Sequence, residues 1–312
     1  ELNYLFGTKL KKELYIKLQE IEKDPTLNKI AAYGAYYLDS VIESEKPDVY
    51  IAIQDIWGVD FATKRKWFNK ITSAIWTTLD SLPILPSAIE TAKNVKNYWV
   101  WSNFATKELN KMGYNNVQTL HGALQDEDFF PLTSPEKSSL RKANNISEKD
   151  FVIGFVFRNQ LRKSVPNLLQ GFKKFKKINP DSNAKLLLHT HMEEGWPILS
   201  LAKEQDINPD DILITHICSK CKNFVVKPYK GPNKECSHCG TKDSLNSVSV
   251  HTGVDEGQLN QVYNLMDVYC HPFTSGGQEI PIQEAKLTEL VTLVTDYSCG
   301  AEMCEPEAHS LA

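Results

Sequence analysis

No run of apolar residues in this 312-residue chain approaches the roughly 20 that a bilayer-spanning helix needs, and the opening stretch ELNYLFGTKLKKELY has no apolar core of the kind a secretion signal carries. No transmembrane segment is expected, and the expected location is the cytoplasm. An excess of positive charge is also lacking, since 35 Lys and Arg stand against 39 Asp and Glu for a formal net charge of −4. The broad basic footprint of a nucleic-acid binder is therefore missing. Its one tempting patch, KKFKK from Lys173 to Lys177, lies among Leu168, Leu169, Phe172 and Phe175 at helical spacing, which makes those lysines the solvated face of an amphipathic helix. Cysteine is sparse, and its odd count of seven argues against a disulfide framework.

Four of those cysteines nevertheless fall within CSKCKNFVVKPYKGPNKECSHCG, Cys218 to Gly240. Two Cys-x-x-Cys pairs flank the fourteen residues 222 to 235, the spacing at which two thiolate hooks close a tetrahedral zinc site. Cys218, Cys221, Cys236 and Cys239 are the expected ligands of one structural Zn2+. With four thiolates the site is closed, so His216 and His238 are not needed as ligands and no position is left open for catalysis. NFVVKPY reads as a short β segment and Gly231-Pro232-Asn233 as a break, so residues 216–247 read as a zinc ribbon. Its lysines at 220, 222, 227, 230 and 234 are accompanied only by Phe224 and Tyr229 as stacking platforms, and nucleic acid is not the expected partner.

Elsewhere short apolar runs alternate with amphipathic ones. LKKELYIKLQEIEK and IAAYGAYYLDSVIES predict helices, PDVYIAIQD a buried strand, and SAIWTTLDS, NYWVWSN and VQTLHGA further strands. The polar stretch 133–150, TSPEKSSLRKANNISEKD, reads partly as a linker. After it the alternation restarts with the strand FVIGFVFRN, the helix SVPNLLQGFKKFKKI and the strand AKLLLHTHM. Beyond the ribbon follow the strand SVSVHTG, the helix DEGQLNQVYNLMD, the strand VYCHPF, the helix PIQEAKLTE and the strand LVTLVTD. Such alternation predicts parallel sheets covered by helices. The expected organisation is two α/β domains, 1–132 and 133–312, with the ribbon as a peripheral insert between two βα units of the second.

Three stretches carry a resemblance to a known family. YWVWSNFATKELNKMGYNNVQTLHGALQDEDFFPL, FVIGFVFRNQLRKSVPNLLQGFKKF and VYNLMDVYCHPFTSGGQEIPIQEAKLTELVTLVTDYSCGAE resemble, in that order, three segments of the GT-B-type retaining glycosyltransferases that use nucleotide sugars. The resemblance implies two Rossmann-like domains. It also implies transfer of a sugar from a nucleoside-diphosphate donor, without a catalytic metal, to a glycan, lipid or protein acceptor. Arg158, at the end of a strand, and Lys163, just before a helix, are placed by it on the donor phosphates, a role that cations beside a helix N-terminus suit chemically. Arg162 competes with Arg158. Gly276, Gly277, Gln278 and Glu279 belong to the implied donor loop, and Glu284 matches the acid that accepts hydrogen bonds from the ribose.

The pattern also departs from the family. The first acid of its Glu-x7-Glu motif falls at Gly276, and Glu279 stands three residues out of register. The Gly-rich turn that opens the family's first domain is missing before residue 10, and the family continues with further helices where this chain stops, so terminal elements are expected to be absent. Asp55, Asp80 and His121 are candidates for the acceptor side, while His189 and His191, alternating on one strand, read as structural. Two other readings stay open on the residues alone: another enzyme of the same fold, such as an epimerase or phosphorylase, and a non-catalytic module that binds nucleotide sugar, or protein or nucleic acid through the ribbon.

Overall fold

The computed structural model describes residues 23, 31–229, 235–249 and 251–304. The helix expected over LKKELYIKLQEIEK, apart from Lys23, and the Gly231-Pro232-Asn233 break lie outside the described residues. The chain divides into two compact units, Glu1–His121 and Gly122–Ala312.

In the first unit, strands β1 (Val49–Ile53), β2 (Thr72–Thr77), β3 (Asn97–Val100) and β4 (Val117–Thr119) form a parallel sheet in that order. Ile75, Tyr98, Val100 and Leu109 are fully buried in its core. The apolar run of β1 predicts burial, but β1 is an edge strand and exposes Val49, Ile51 and Ile53 to 54, 50 and 53%. Within the described part of IAAYGAYYLDSVIES, Ala32 to Tyr37 are turns and regular helix runs over α1 (Leu38–Glu45). Ahead of α1 the chain turns at Gly34, whose φ of 81° lies in the left-handed region that glycine tolerates. Further helices among the described residues of this unit are α2 (Ile56–Val59), α3 (Pro86–Asn94) and α4 (Asn103–Lys111), the last capped by Ser102, whose hydroxyl accepts from the Ala105 amide at 3.2 Å.

The second unit holds a seven-stranded sheet in the order β11-β10-β5-β6-β7-β8, with β9 also on β7. Strands β5 (Asp150–Val156), β6 (Asn183–His189), β7 (Ile212–Cys218), β10 (Val268–His271) and β11 (Val291–Val294) run parallel, and β8 (Phe224–Pro228) and β9 (Leu245–Ser247) are antiparallel to β7. Leu186, Leu187 and Leu188 of β6 are wholly buried, as expected of a strand covered on both faces. The order reverses between β5 and β10, and crevices for ligands open outside the carboxyl ends of parallel strands at such a reversal.

Two stretches add to what the sequence suggests. The stretch 133–150, read partly as a linker, is helix over α5 (Ser134–Ala143), started by a capping box in which Thr133 Oγ1 and the Thr133 amide both donate to Glu136 Oε2, at 2.6 and 2.9 Å. Arg141 in its last turn is buried and reaches Asp267 Oδ2 at 2.5 Å, which docks α5 on the sheet. The cysteine-rich segment does not stand apart from the sheet either. β7 pairs with β6 only through Ile212–Ile214, and its distal half is completed by β9 on the same edge and by β8 on the other. Backbone groups beyond the reach of β6 need partners, and the segment's own strands supply them. SVSVHTG contributes only Ser247 to β9, since that strand ends there.

The remaining helices are α6 (Val165–Ile178), α7 (Ile198–Glu204), α8 (Glu256–Asn264), α9 (Ile280–Leu287) and α10 (Gly300–Cys304). In α6 Val165, Leu168, Leu169 and Phe172 are buried while Lys173 and Lys177 are exposed, the solvated face expected of KKFKK.

Candidate functional site

Two polar clusters form at the carboxyl ends of β5, β6 and β10. The first is an ionic knot at the strand-order reversal. Lys163, buried in the turn after β5, is paired through Nζ with Glu279 Oε2 and lies 3.5 Å from His271 Nε2. Arg162 Nη1 reaches Glu279 Oε1 at 2.6 Å and the Ser275 carbonyl at 2.8 Å. His271 ends β10, with Nε2 at 3.1 Å from Glu279 Oε2 and Nδ1 at 2.8 Å from the Tyr269 hydroxyl, which also donates to the Val156 carbonyl at 3.0 Å. Burial pushes the Glu279 carboxyl up, but the His271 bond and the charges of Lys163 and Arg162 outweigh it and hold it at about 2. His271, wholly buried, is pushed down to about 4 by desolvation.

Gly276 stands where the resemblance implies an acid. A Cβ built on it would collide with the Glu279 carboxylate, so the carboxylate three residues downstream fills the space that a side chain at 276 would need. Gly277 is buried beside it, and Gln278 Nε2 donates to Gln283 Oε1 at 3.2 Å.

The second cluster is a cavity of about 310 Å³. Its walls come from the end of β5 (Val156, Phe157, Arg158), the end of β6 (His189, Thr190, His191, Glu194), the turn after β9 (Val248, Ser249, Gly253), Leu259 of α8, and Pro281 and Glu284 of α9. Arg158 pairs with Glu194 at 2.7 Å, a hydrogen bond and attraction that raise the guanidinium and lower the carboxyl. Glu284 accepts from the Tyr263 hydroxyl at 2.5 Å, and burial raises its carboxyl. His189 is pushed down to about 4 by burial and is neutral near pH 7. The structure thus brings Arg158 and Glu284 to one cavity and Lys163 and Glu279 to the knot.

Asp55, Asp80 and His121 belong to the first unit. Asp55 Oδ1 accepts from the Thr78 hydroxyl at 2.9 Å, and His121 is exposed. His189 and Thr190 line the cavity, although in the sequence His189 reads as structural and Thr190 belongs to no motif. The period-two alternation of His189 and His191 reads identically for a sheet-edge cap and for a ligand wall, and no spacing signal separates the two.

The four cysteines meet at the far end of β7. Their sulfurs all lie within 4.8 Å of one another, and the Cys218–Cys239 and Cys221–Cys236 pairs are each separated by 3.7 Å. A disulfide needs about 2.05 Å, and all four are free thiols. A tetrahedron with metal–sulfur bonds of about 2.3 Å has edges of about 3.8 Å, so the group fits a zinc ion. The imidazoles of His216 and His238 lie outside this group, against the carbonyls of Ile214 and Phe224, each at 3.1 Å.

No family model and no curated protein matches this sequence. Solved structures do share its fold. A glycosyltransferase from Rickettsia africae ESF-5 is similar with a TM-score of 0.56 at 15% identity, over 96% of this chain and 71% of its own. The Anabaena protein HepE, solved in complex with UDP, gives 0.60 at 11% identity over 86% and 65%, and a sucrose-phosphate synthase from Thermosynechococcus elongatus gives 0.59 at 11% over 85% and 60%. This chain therefore shares the fold of these proteins and spans between 60 and 71% of their length. Among the described residues, no helix is long and apolar enough to cross a membrane.

Proposed function

We propose that this protein transfers a sugar, with retention of configuration, from a nucleoside-diphosphate sugar to a hydroxyl of a glycan, lipid or protein acceptor. The observation that carries the reading is the cavity outside the ends of β5 and β6, where a cation (Arg158) and a half-buried carboxyl (Glu284) line one space of small-molecule size. Arg158 takes the diphosphate by exchanging Glu194 for phosphate oxygens, and Lys163 adds its charge by sharing Glu279 in the same way. When the bond from the anomeric carbon to the phosphate oxygen breaks, its electron pair stays on the diphosphate, and preorganised cations stabilise that developing charge. Glu284 accepts from the ribose hydroxyls. Asp55, Asp80 and His121 are the acceptor-side groups.

The cysteine cluster holds a structural zinc in this reading. Because β7, β8 and β9 meet in one sheet, chelation is expected to raise amide exchange in all three strands. Exchange confined to residues 219–244 would show the segment to be independent of the sheet. Titration of UDP into wild type, Arg158→Ala and Arg162→Ala tests the donor site. Arg158→Ala is expected to lose about 10- to 150-fold in affinity, the worth of a charge-assisted hydrogen bond. Equal losses in both variants would assign the phosphate to the wrong arginine.

A further inference from the structure

Three of the five buried polar side-chain atoms that lack a hydrogen-bond partner among the described residues stand together: His189 Nδ1, Thr190 Oγ1 and Thr215 Oγ1. His189 ends β6 and Thr190 follows it. Thr215 comes directly after Ile214, the register partner of Leu188, which puts it beside the end of β6 on the neighbouring strand. Thr190 and Thr215 are 2 and 0% exposed, so bulk water does not serve them. Buried hydroxyls and imidazoles are ordinarily paired, because an unmade bond in the interior costs stability. Here two of the three unpaired groups belong to residues that line the cavity, His189 and Thr190, and Thr215 adjoins them on β7.

The chemistry of this wall differs from that of the rest of the cavity. Arg158 supplies charge, whereas the end of β6 supplies none: a histidine held neutral by burial offers one donor and one acceptor, and a threonine hydroxyl offers both. An uncharged donor–acceptor pair has little to give a diphosphate. It matches the edge of a heterocyclic base, where ring N–H and C=O groups alternate, and Val156, Phe157, Leu259 and Pro281 provide apolar surface for the base's faces. We propose that His189 and Thr190 read the base of the bound nucleotide, fixing its identity and turning the diphosphate toward Arg158. This rests on the nucleotide-sugar reading and adds to it the residues that select the base.

The experiment compares wild type, Thr190→Val and Thr190→Ser by calorimetric titration with UDP, ADP, GDP, UDP-glucose and inorganic pyrophosphate, with melting curves on the same samples. Thr190→Val is expected to weaken the preferred nucleoside diphosphate by about three- to tenfold, to leave pyrophosphate affinity unchanged, and to melt at or above the wild-type temperature, because it removes an unpaired buried hydroxyl. Thr190→Ser restores the hydroxyl and is expected to bind like wild type. Unchanged nucleotide affinity in folded Thr190→Val overturns the inference, as does a loss shared equally by pyrophosphate, a loss seen with UDP-glucose but not UDP, or earlier melting. Should Thr190→Val not fold, the serine variant decides, since tenfold weaker binding with the hydroxyl present is equally fatal. A wild-type protein that binds none of the five ligands ends the nucleotide-sugar reading itself, whereas normal binding by every variant ends only the role of Thr190.

Discussion

The ionic knot around Glu279 and the cavity wall at the end of β6 are built from neighbouring strand ends of one sheet, yet they treat polar groups in opposite ways. In the knot Arg162, Lys163 and His271 converge on Glu279 and Tyr269 bonds to His271, so each has a partner within the cluster. At the wall Thr190 is buried and His189 partly so, and each leaves a buried polar atom without a partner among the described residues. A satisfied buried network rigidifies the fold around it, while an unsatisfied one keeps bonding capacity in reserve. The contrast sets a knot that is satisfied, as a scaffold is, against a wall that is not, and burial alone would not have separated them.

The largest expected effect tests the scaffold half of that contrast. Lys163→Met leaves the buried Glu279 carboxylate with Arg162 and His271 only, and breaking a buried pair in this way is expected to cost about 3–5 kcal/mol in urea unfolding. A loss under about 1 kcal/mol would make the knot a poor support, and unchanged UDP affinity in the folded variant would remove Lys163 from the phosphates.

Next in size is acid sensitivity, which both clusters share. His189 and His271 have folded pKa values of about 4, below the ordinary 6.5, so as pH falls from 6.5 the unfolded chain takes up protons that the folded chain refuses. Stability is expected to drop between about pH 6.5 and 4, by on the order of 3 kcal/mol per histidine. Unfolding free energies measured across that range in His189→Phe and in wild type separate the two contributions. An identical pH slope in both proteins would mean that His189 is not held neutral.

Glu284→Gln comes third. If the carboxylate receives the ribose hydroxyls, the amide is expected to lower UDP affinity about tenfold, with melting little changed because Tyr263 retains an acceptor. Earlier melting with normal binding would return Glu284 to a structural role. The smallest effect belongs to Glu194, which masks Arg158 at the cavity rim. Glu194→Gln is expected to tighten UDP binding by about two- to fivefold at low salt, less at high salt, and weaker binding would show that Glu194 helps to hold the ligand.

The sequence by itself determined the parallel sheets of both units, because short apolar strands alternating with amphipathic helices leave few other ways to bury both faces. It determined the four-cysteine cluster, since two Cys-x-x-Cys hooks at that separation are a local, countable signal. It also contained the start of α5 in Thr133-Ser-Pro-Glu136, a capping box that the polarity of the flanking residues obscured. Tertiary structure alone decided that Glu279 fills the space beside Gly276, because the collision is between residues whose spacing follows no motif. It alone decided that Arg158 faces the cavity while Lys163, five residues on, is locked to Glu279, and that the cysteine segment completes the edges of β7. Strand and helix patterns report which face of an element is apolar. Whether a polar group on the other face finds a partner depends on what long-range folding sets beside it, and that is where His189 and Thr190 acquired their place.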